Sequence, residues 1–168
     1  MILGLEDIIF NSMDDFNMAD TGGLRNEEPL TVEQKEQILE YAISLGMPTD
    51  QIVFIDHGLT AYGGEYDVLK VGTDIVPLNE RIKNPNSNIS IKGTIAHELV
   101  GHREAYLKGL TQSDDLLEEA QASIRAARFA PNLSTRERID LLRDGIYRLN
   151  KRGISLRSVK HKLHINRR

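Results

Sequence analysis

Apolar positions along the chain fall into four stretches at helical spacing and three short runs suited to strands. Thr31, followed three residues later by Gln34, forms a capping box, and Ile38, Leu39, Ala42 and Leu45 then share one face until Gly46 and Pro48 end the run. This predicts a helix near 32–45. The runs QIVFID (51–56), YDVLKV (66–71) and DIVP (74–77) predict short strands, the last two joined as a hairpin across Gly72 and Thr73. Pro77 cannot donate to a ladder, so its strand is expected at an edge, and HGLTAYGGE between the first two runs reads as turn.

Residues 80–90 form a polar loop that supplies an Asn or Ser cap to a helix over about 91–108, with Ile91, Ile95 and Leu99 on one face and Lys108 and Gly109 closing it. Ser113, Asp114 and Asp115 open another helix, whose Leu117, Ile124 and Phe129 recur until Pro131. A capping box from Ser134 to Glu137 opens a third, striped by Ile139, Leu142, Ile146 and Leu149 and broken at Gly153. ISLRSVKHKLHI then makes a short final element. Few strands followed by several helices mean an α+β fold. The polar, acidic stretch from Asn11 to Pro29 marks 1–30 as a loop-rich opening segment, which leaves 31–168 as a single domain.

Composition narrows the chemistry. With no cysteine in 168 residues, a disulfide framework, a thiolate metal site, an iron-sulfur cluster and a thiol nucleophile are excluded, so any metal must be held by His and carboxylate. No apolar run is long enough to span a bilayer, and MILGLEDIIF lacks basic residues and contains Glu6 and Asp7. The expectation is a soluble chain without a secretory signal, made in the cytoplasm or cut from something longer. The net charge of −4 hides an asymmetry: residues 151–168 carry seven basic side chains and no acid, leaving 14 basic against 25 acidic residues elsewhere. No aromatic residue is interleaved there to stack a base, so the tail is expected to be solvated and nucleic acid is not an expected partner.

The helical stretch over about 91–108 carries His97-Glu98-Leu99-Val100-Gly101-His102, an HExxxH string. In the HExxH pattern of zinc peptidases the imidazoles lie one turn apart and the Glu between them is the general base. Here one residue is extra. At about 100° per residue, five residues turn through about 500°, leaving His102 about 140° around a regular helix from His97. A π turn absorbs the extra residue and restores a shared side, and Gly101 suits the distortion, so a π bulge is predicted between the two histidines. Zinc needs a third protein ligand, and Glu118 or Glu119, 16 to 17 residues beyond His102, can return on the next helix. Ser123, one turn beyond Glu119, is placed to orient a ligand.

HELVGH followed by EEAQAS resembles the zinc signature of the dipeptidyl peptidase III family. That resemblance implies a zincin-like domain, with a small mixed or antiparallel sheet packed on the active-site helix. It also implies zinc bound by His97, His102 and Glu119, with Glu98 as base; Ser123 stands where the family's second motif has an acidic residue. The stretch from Ile91 to about Ala130 is similar to the metallopeptidase-type toxin domains of Rhs-like polymorphic bacterial toxins. This second likeness implies an effector released from a larger carrier into a target cell, with a protein or peptide substrate and an immunity protein as partner.

The expected chemistry is peptide hydrolysis by a metal-activated water, Glu98 taking its proton. Strand 66–71 or 74–77 is a candidate edge for an extended peptide, and His57, Tyr62 and Tyr66 are candidate donors to a developing oxyanion. His161 and His164 share the basic tail without a nearby acid and read as solvated. Two other functions stay open: a non-catalytic zincin-like binding or regulatory module, and a nuclease-like toxin using the tail.

Overall fold

The computed structural model describes residues 24–168, so the part of the loop-rich opening segment that falls on 1–23 lies outside the described residues. Helix α1 (Val32–Ser44) begins with both halves of the Thr31–Gln34 capping box and buries Ile38, Tyr41 and Ala42. It stops where Gly46 turns left-handed at φ +88°.

A three-stranded mixed sheet follows, built from β1 (Ile52–Phe54), β2 (Ala61–Gly63) and β3 (Val68–Val71) in the order β1-β3-β2. β1 runs parallel to β3, with Ile52 opposite Leu69 and Phe54 opposite Val71; β2 runs antiparallel to it, with Ala61 opposite Lys70 and Gly63 opposite Val68. The expected hairpin between 66–71 and 74–77 is absent. Thr73–Ile75 is a 3-10 turn instead, and β3 is the central strand, not an edge. Packing at Gly72 explains the turn: a Cβ there would lie 2.2 Å from the Gly58 carbonyl oxygen, and the Asp74 carboxylate is drawn back by the Thr60 amide and hydroxyl, each at 2.8 Å. The second partner of β3 comes from the segment read as turn, where only three residues pair.

The long helix is one rod of three segments: α2 (Ile91–Ala96), capped by the Ser90 hydroxyl, a π-helical stretch (His97–Arg103), and α3 (Glu104–Leu107). Helix α4 (Asp115–Phe129) starts at an Asp114 cap and α5 (Thr135–Lys151) at the Ser134–Glu137 capping box. α4 packs between α5 and the π stretch. Two glycines allow close approach on either side. A Cβ at Gly101 would fall 2.6 Å from the Ala122 carbonyl oxygen, and one at Gly145 would fall 2.9 Å from Ile124 and 3.1 Å from the Ala120 carbonyl oxygen. The main core joins α1, the sheet, α2 and parts of α4 and α5, and a second cluster of Ala120, Ile124, Leu149, Val159, Leu163 and Ile165 lies under the carboxyl end.

The basic tail departs from the expected solvated end. After α6 (Leu156–Val159) it lies along α4, with Leu163 and Ile165 buried. Gln121 accepts from the His164 amide at 3.1 Å, Gln112 donates to the Lys162 carbonyl at 2.9 Å, and buried Arg125 donates to the carbonyls of His164 and Arg167. Its charged heads and the side chains of His161 and His164 remain exposed. The pattern Val159, Leu163, Ile165 is too short to register as a stripe, so only the docking reveals it. Among the described residues no helix is long and apolar enough to cross a membrane.

Candidate metal centre

Both histidines of the HExxxH string project from the π stretch toward one point. Their rings meet edge to face at 82° with centroids 4.7 Å apart, and the two Nε2 atoms are separated by 3.1 Å. The neighbouring turn of α4 brings Glu119 to the same point, its Oε2 3.2 Å from His97 Nε2 and its Oε1 3.3 Å from His102 Nε2. A tetrahedral ion with ligand bonds of about 2.0 Å holds its ligands about 3.3 Å apart. Three side chains from two helices already stand at that spacing, so His97, His102 and Glu119 could hold a metal ion.

A second layer surrounds the three. Glu118, the alternative carboxylate, faces the far side of its neighbour's ring: Oε1 lies 3.4 Å from His102 Nδ1 and Oε2 accepts from the Gln112 amide at 2.6 Å. Ser123 approaches His97, not Glu119, with Oγ 2.9 Å from Nδ1, and it donates to Asp144 Oδ2 at 2.5 Å. Arg148 donates from Nε to the same Asp144 oxygen at 2.9 Å and places Nη1 3.5 Å from Glu119 Oε2. Asp144 and Arg148 were not legible from the sequence. With Asp140 they form a row at i, i+4 and i+8, which reads as a solvated charge ladder, yet Asp144 is 1% exposed.

Glu98 is buried beside the first histidine, and its Oε2 accepts from the Tyr62 amide of β2 at 2.9 Å. β2 is pinned in turn by Asp67, which accepts from the Tyr62 hydroxyl at 2.9 Å and from Arg103 at 2.7 and 3.0 Å. These groups open on a cleft of about 780 Å³ whose walls include Arg25, Leu59, Tyr62, Tyr106, Thr111 and Arg148. Of the three sequence candidates for an oxyanion donor, His57 and Tyr66 are exposed and do not border the cleft, and the Tyr62 hydroxyl is committed to Asp67. Arg25 closes one side; its guanidinium donates to the carbonyls of Asp74, Asn86, Ile75 and Ile89.

The electrostatics favour positive charge at this point. Burial opposes a charge on His102, but hydrogen bonds to Glu118 and Glu119 and the nearby Glu98 charge outweigh it and raise its pKa to about 10. Burial likewise opposes ionisation of Glu119, and the two imidazoles overcome it, holding the carboxyl well below the usual range. Glu118 is lowered too, against burial, by His102 and the Gln112 amide. A proton held this tightly among acceptors marks where a divalent cation would be favoured, and two imidazoles with one carboxylate suit such an ion.

No family model matches the chain, and searches of curated proteins and of solved structures found no match.

Proposed function

We propose that this chain is a zinc-dependent peptidase domain. The observation carrying the proposal is the convergence of His97, His102 and Glu119 at tetrahedral spacing, with Glu98 buried alongside and an open cleft in front. Two neutral imidazoles and one carboxylate are a common donor set of catalytic zinc, with room left for water. The ion would supply Lewis acidity toward a scissile carbonyl and a nucleophilic water near neutral pH.

The chain's own groups do the rest. Glu98, fixed by the Tyr62 amide, takes a proton from the attacking water and returns it to the leaving amine nitrogen. β2 is an edge strand, and Ala61, Tyr62 and Gly64 border the cleft, so an extended peptide laid beside it reaches the metal cluster. The sequence expectation placed that edge at 66–71 or 74–77; β3 is central, and of the two edge strands β2 is the one bordering the cleft. Arg148 sits 3.5 Å from the Glu119 oxygen that faces His97 and keeps positive charge at the cleft wall. By its likeness to polymorphic-toxin domains, the proposal extends to an effector acting on a target-cell protein and countered by an immunity protein.

Metal analysis and peptide hydrolysis on paired variants test the proposal. Wild type should hold one zinc per chain, and His97→Ala or His102→Ala should hold none. Glu98→Gln should keep zinc and lose about 10²-fold or more in turnover, because an amide cannot accept the proton. Zinc retained by both histidine variants, or full activity in Glu98→Gln, would reject it.

A further inference from the structure

Asp144 comes from α5, makes no hydrogen bond to His97, His102 or Glu119, and is nevertheless among the most buried charged groups of the described residues. Its Oδ2 accepts from Ser123 at 2.5 Å and from Arg148 at 2.9 Å, while Oδ1 is buried with no hydrogen-bond partner among the described residues. A buried carboxylate with one oxygen unsatisfied is a poor way to fill space between helices, where an apolar side chain would carry no desolvation cost.

A serine hydroxyl has a single proton, and the carboxylate offers only acceptors. At 2.5 Å that proton lies between Ser123 and Asp144, so Ser123 Oγ turns a lone pair toward His97 Nδ1, 2.9 Å away. Nδ1 must then carry the hydrogen of that contact, which in the neutral ring leaves the Nε2 lone pair for a cation at the point it shares with His102 Nε2 at 3.1 Å and Glu119 Oε2 at 3.2 Å. The other neutral tautomer, with hydrogen on Nε2, would need Ser123 to donate to Nδ1. It would then set two lone pairs against each other across the 2.5 Å contact with Asp144. Arg148 keeps the Asp144 oxygen in place from the opposite side.

We propose that Asp144, acting through Ser123, is the positioning residue that holds His97 in its Nδ1-protonated tautomer and turns the Nε2 lone pair into the metal site. His102 needs no such relay, because Glu118 faces its Nδ1 directly at 3.4 Å. The two rings are thus oriented by different devices, one carboxylate in contact and one delivered from the next helix through a hydroxyl. The inference rests on the metal-centre reading for its purpose, but not for its measurement.

The experiment pairs two readouts on wild type, Asp144→Ala and Ser123→Ala. The first is long-range ¹H–¹⁵N correlation on zinc-free, histidine-labelled protein, which reports which His97 nitrogen bears hydrogen. The second is zinc affinity by competition with a chromophoric chelator. Wild type should show hydrogen on Nδ1; both variants should lose that preference and bind zinc about 10- to 100-fold more weakly. The double variant Ser123→Asp/Asp144→Ala, which moves the carboxylate next to the ring, should regain Nδ1 protonation and most of the affinity. A general loss of packing would not be rescued in this way. Should Asp144→Ala fail to fold, Ser123→Ala decides by the same readouts. An unchanged tautomer, or affinity within twofold of wild type, overturns the proposal. A wild type that binds no zinc sinks the peptidase reading instead, and the tautomer still decides the role of Asp144.

Discussion

Gly101→Ala tests whether the metal site depends on the approach of two helix backbones. A Cβ at this position would lie 2.6 Å from the Ala122 carbonyl oxygen and 2.8 Å from both the Ala122 Cα and Cβ. Ordinary contact begins near 3.4 Å, so α4 and the π stretch must part by about 0.8 Å, and backbone cannot swing aside as a side-chain tip can. Overpacking of this kind costs about 1–3 kcal/mol. Glu119 and Ser123 flank Ala122 on α4, while His102 follows Gly101, so the displacement acts directly between ligands now 3.2–3.3 Å apart. Lengthening a metal–oxygen bond of about 2.0 Å by most of that amount removes it as a bond. Zinc affinity should fall at least about tenfold, or about 1.4 kcal/mol. Urea denaturation of the zinc-free protein reads the packing cost, and chelator competition reads the site. Gly63→Ala is the control, since its Cβ meets nothing nearer than the Val68 carbonyl oxygen at 3.8 Å. A Gly101→Ala variant within about 0.5 kcal/mol of wild type in stability, with undiminished zinc binding, would refute the reasoning.

Two further outcomes are expected. Because the folded His102 has a pKa raised from 6.5 to about 10, zinc binding at pH 8 should displace about one proton, visible as a dependence of the calorimetric enthalpy on buffer ionisation. The sign for stability follows: a raised pKa supports the zinc-free fold fully below about 6.5, and that support disappears as pH climbs through 10, so the denaturation midpoint should fall over this window only without zinc. A flat zinc-free profile, or no proton release, contradicts the assignment. Leu163→Ala should cost about 2–4 kcal/mol, because the side chain is 4% exposed in the second cluster. A cost below about 0.5 kcal/mol in denaturant titration would mean that the tail is not docked in solution.

The residue sequence alone set the helices and the chemistry of the cluster. Capping boxes at Thr31 and Ser134 and the glycines at 46 and 153 are local signals, readable because caps and left-handed turns need particular side chains at particular offsets. The five-residue gap between His97 and His102 likewise forced a choice between divergent ligands and a π turn, and the rod contains the π turn. Short elements were less legible. Three-residue strands such as β2 carry too few positions for an alternating pattern, and whether Thr73–Ile75 extends or turns was decided by the loop at Gly58 pressing on Gly72.

Spacing left Glu118 and Glu119 equivalent and only the motif resemblance favoured Glu119; packing shows which ring each carboxylate faces. It also made Asp144 and Arg148 part of the site. Their i, i+4 spacing is that of any exposed ion pair, and what distinguishes them is burial, which sequence periodicity does not measure. Local interactions act over a few residues and leave a mark in spacing. The line from Asp144 through Ser123 to His97 is held by contacts 21 and 26 residues apart, and the sequence records only that the polar groups exist.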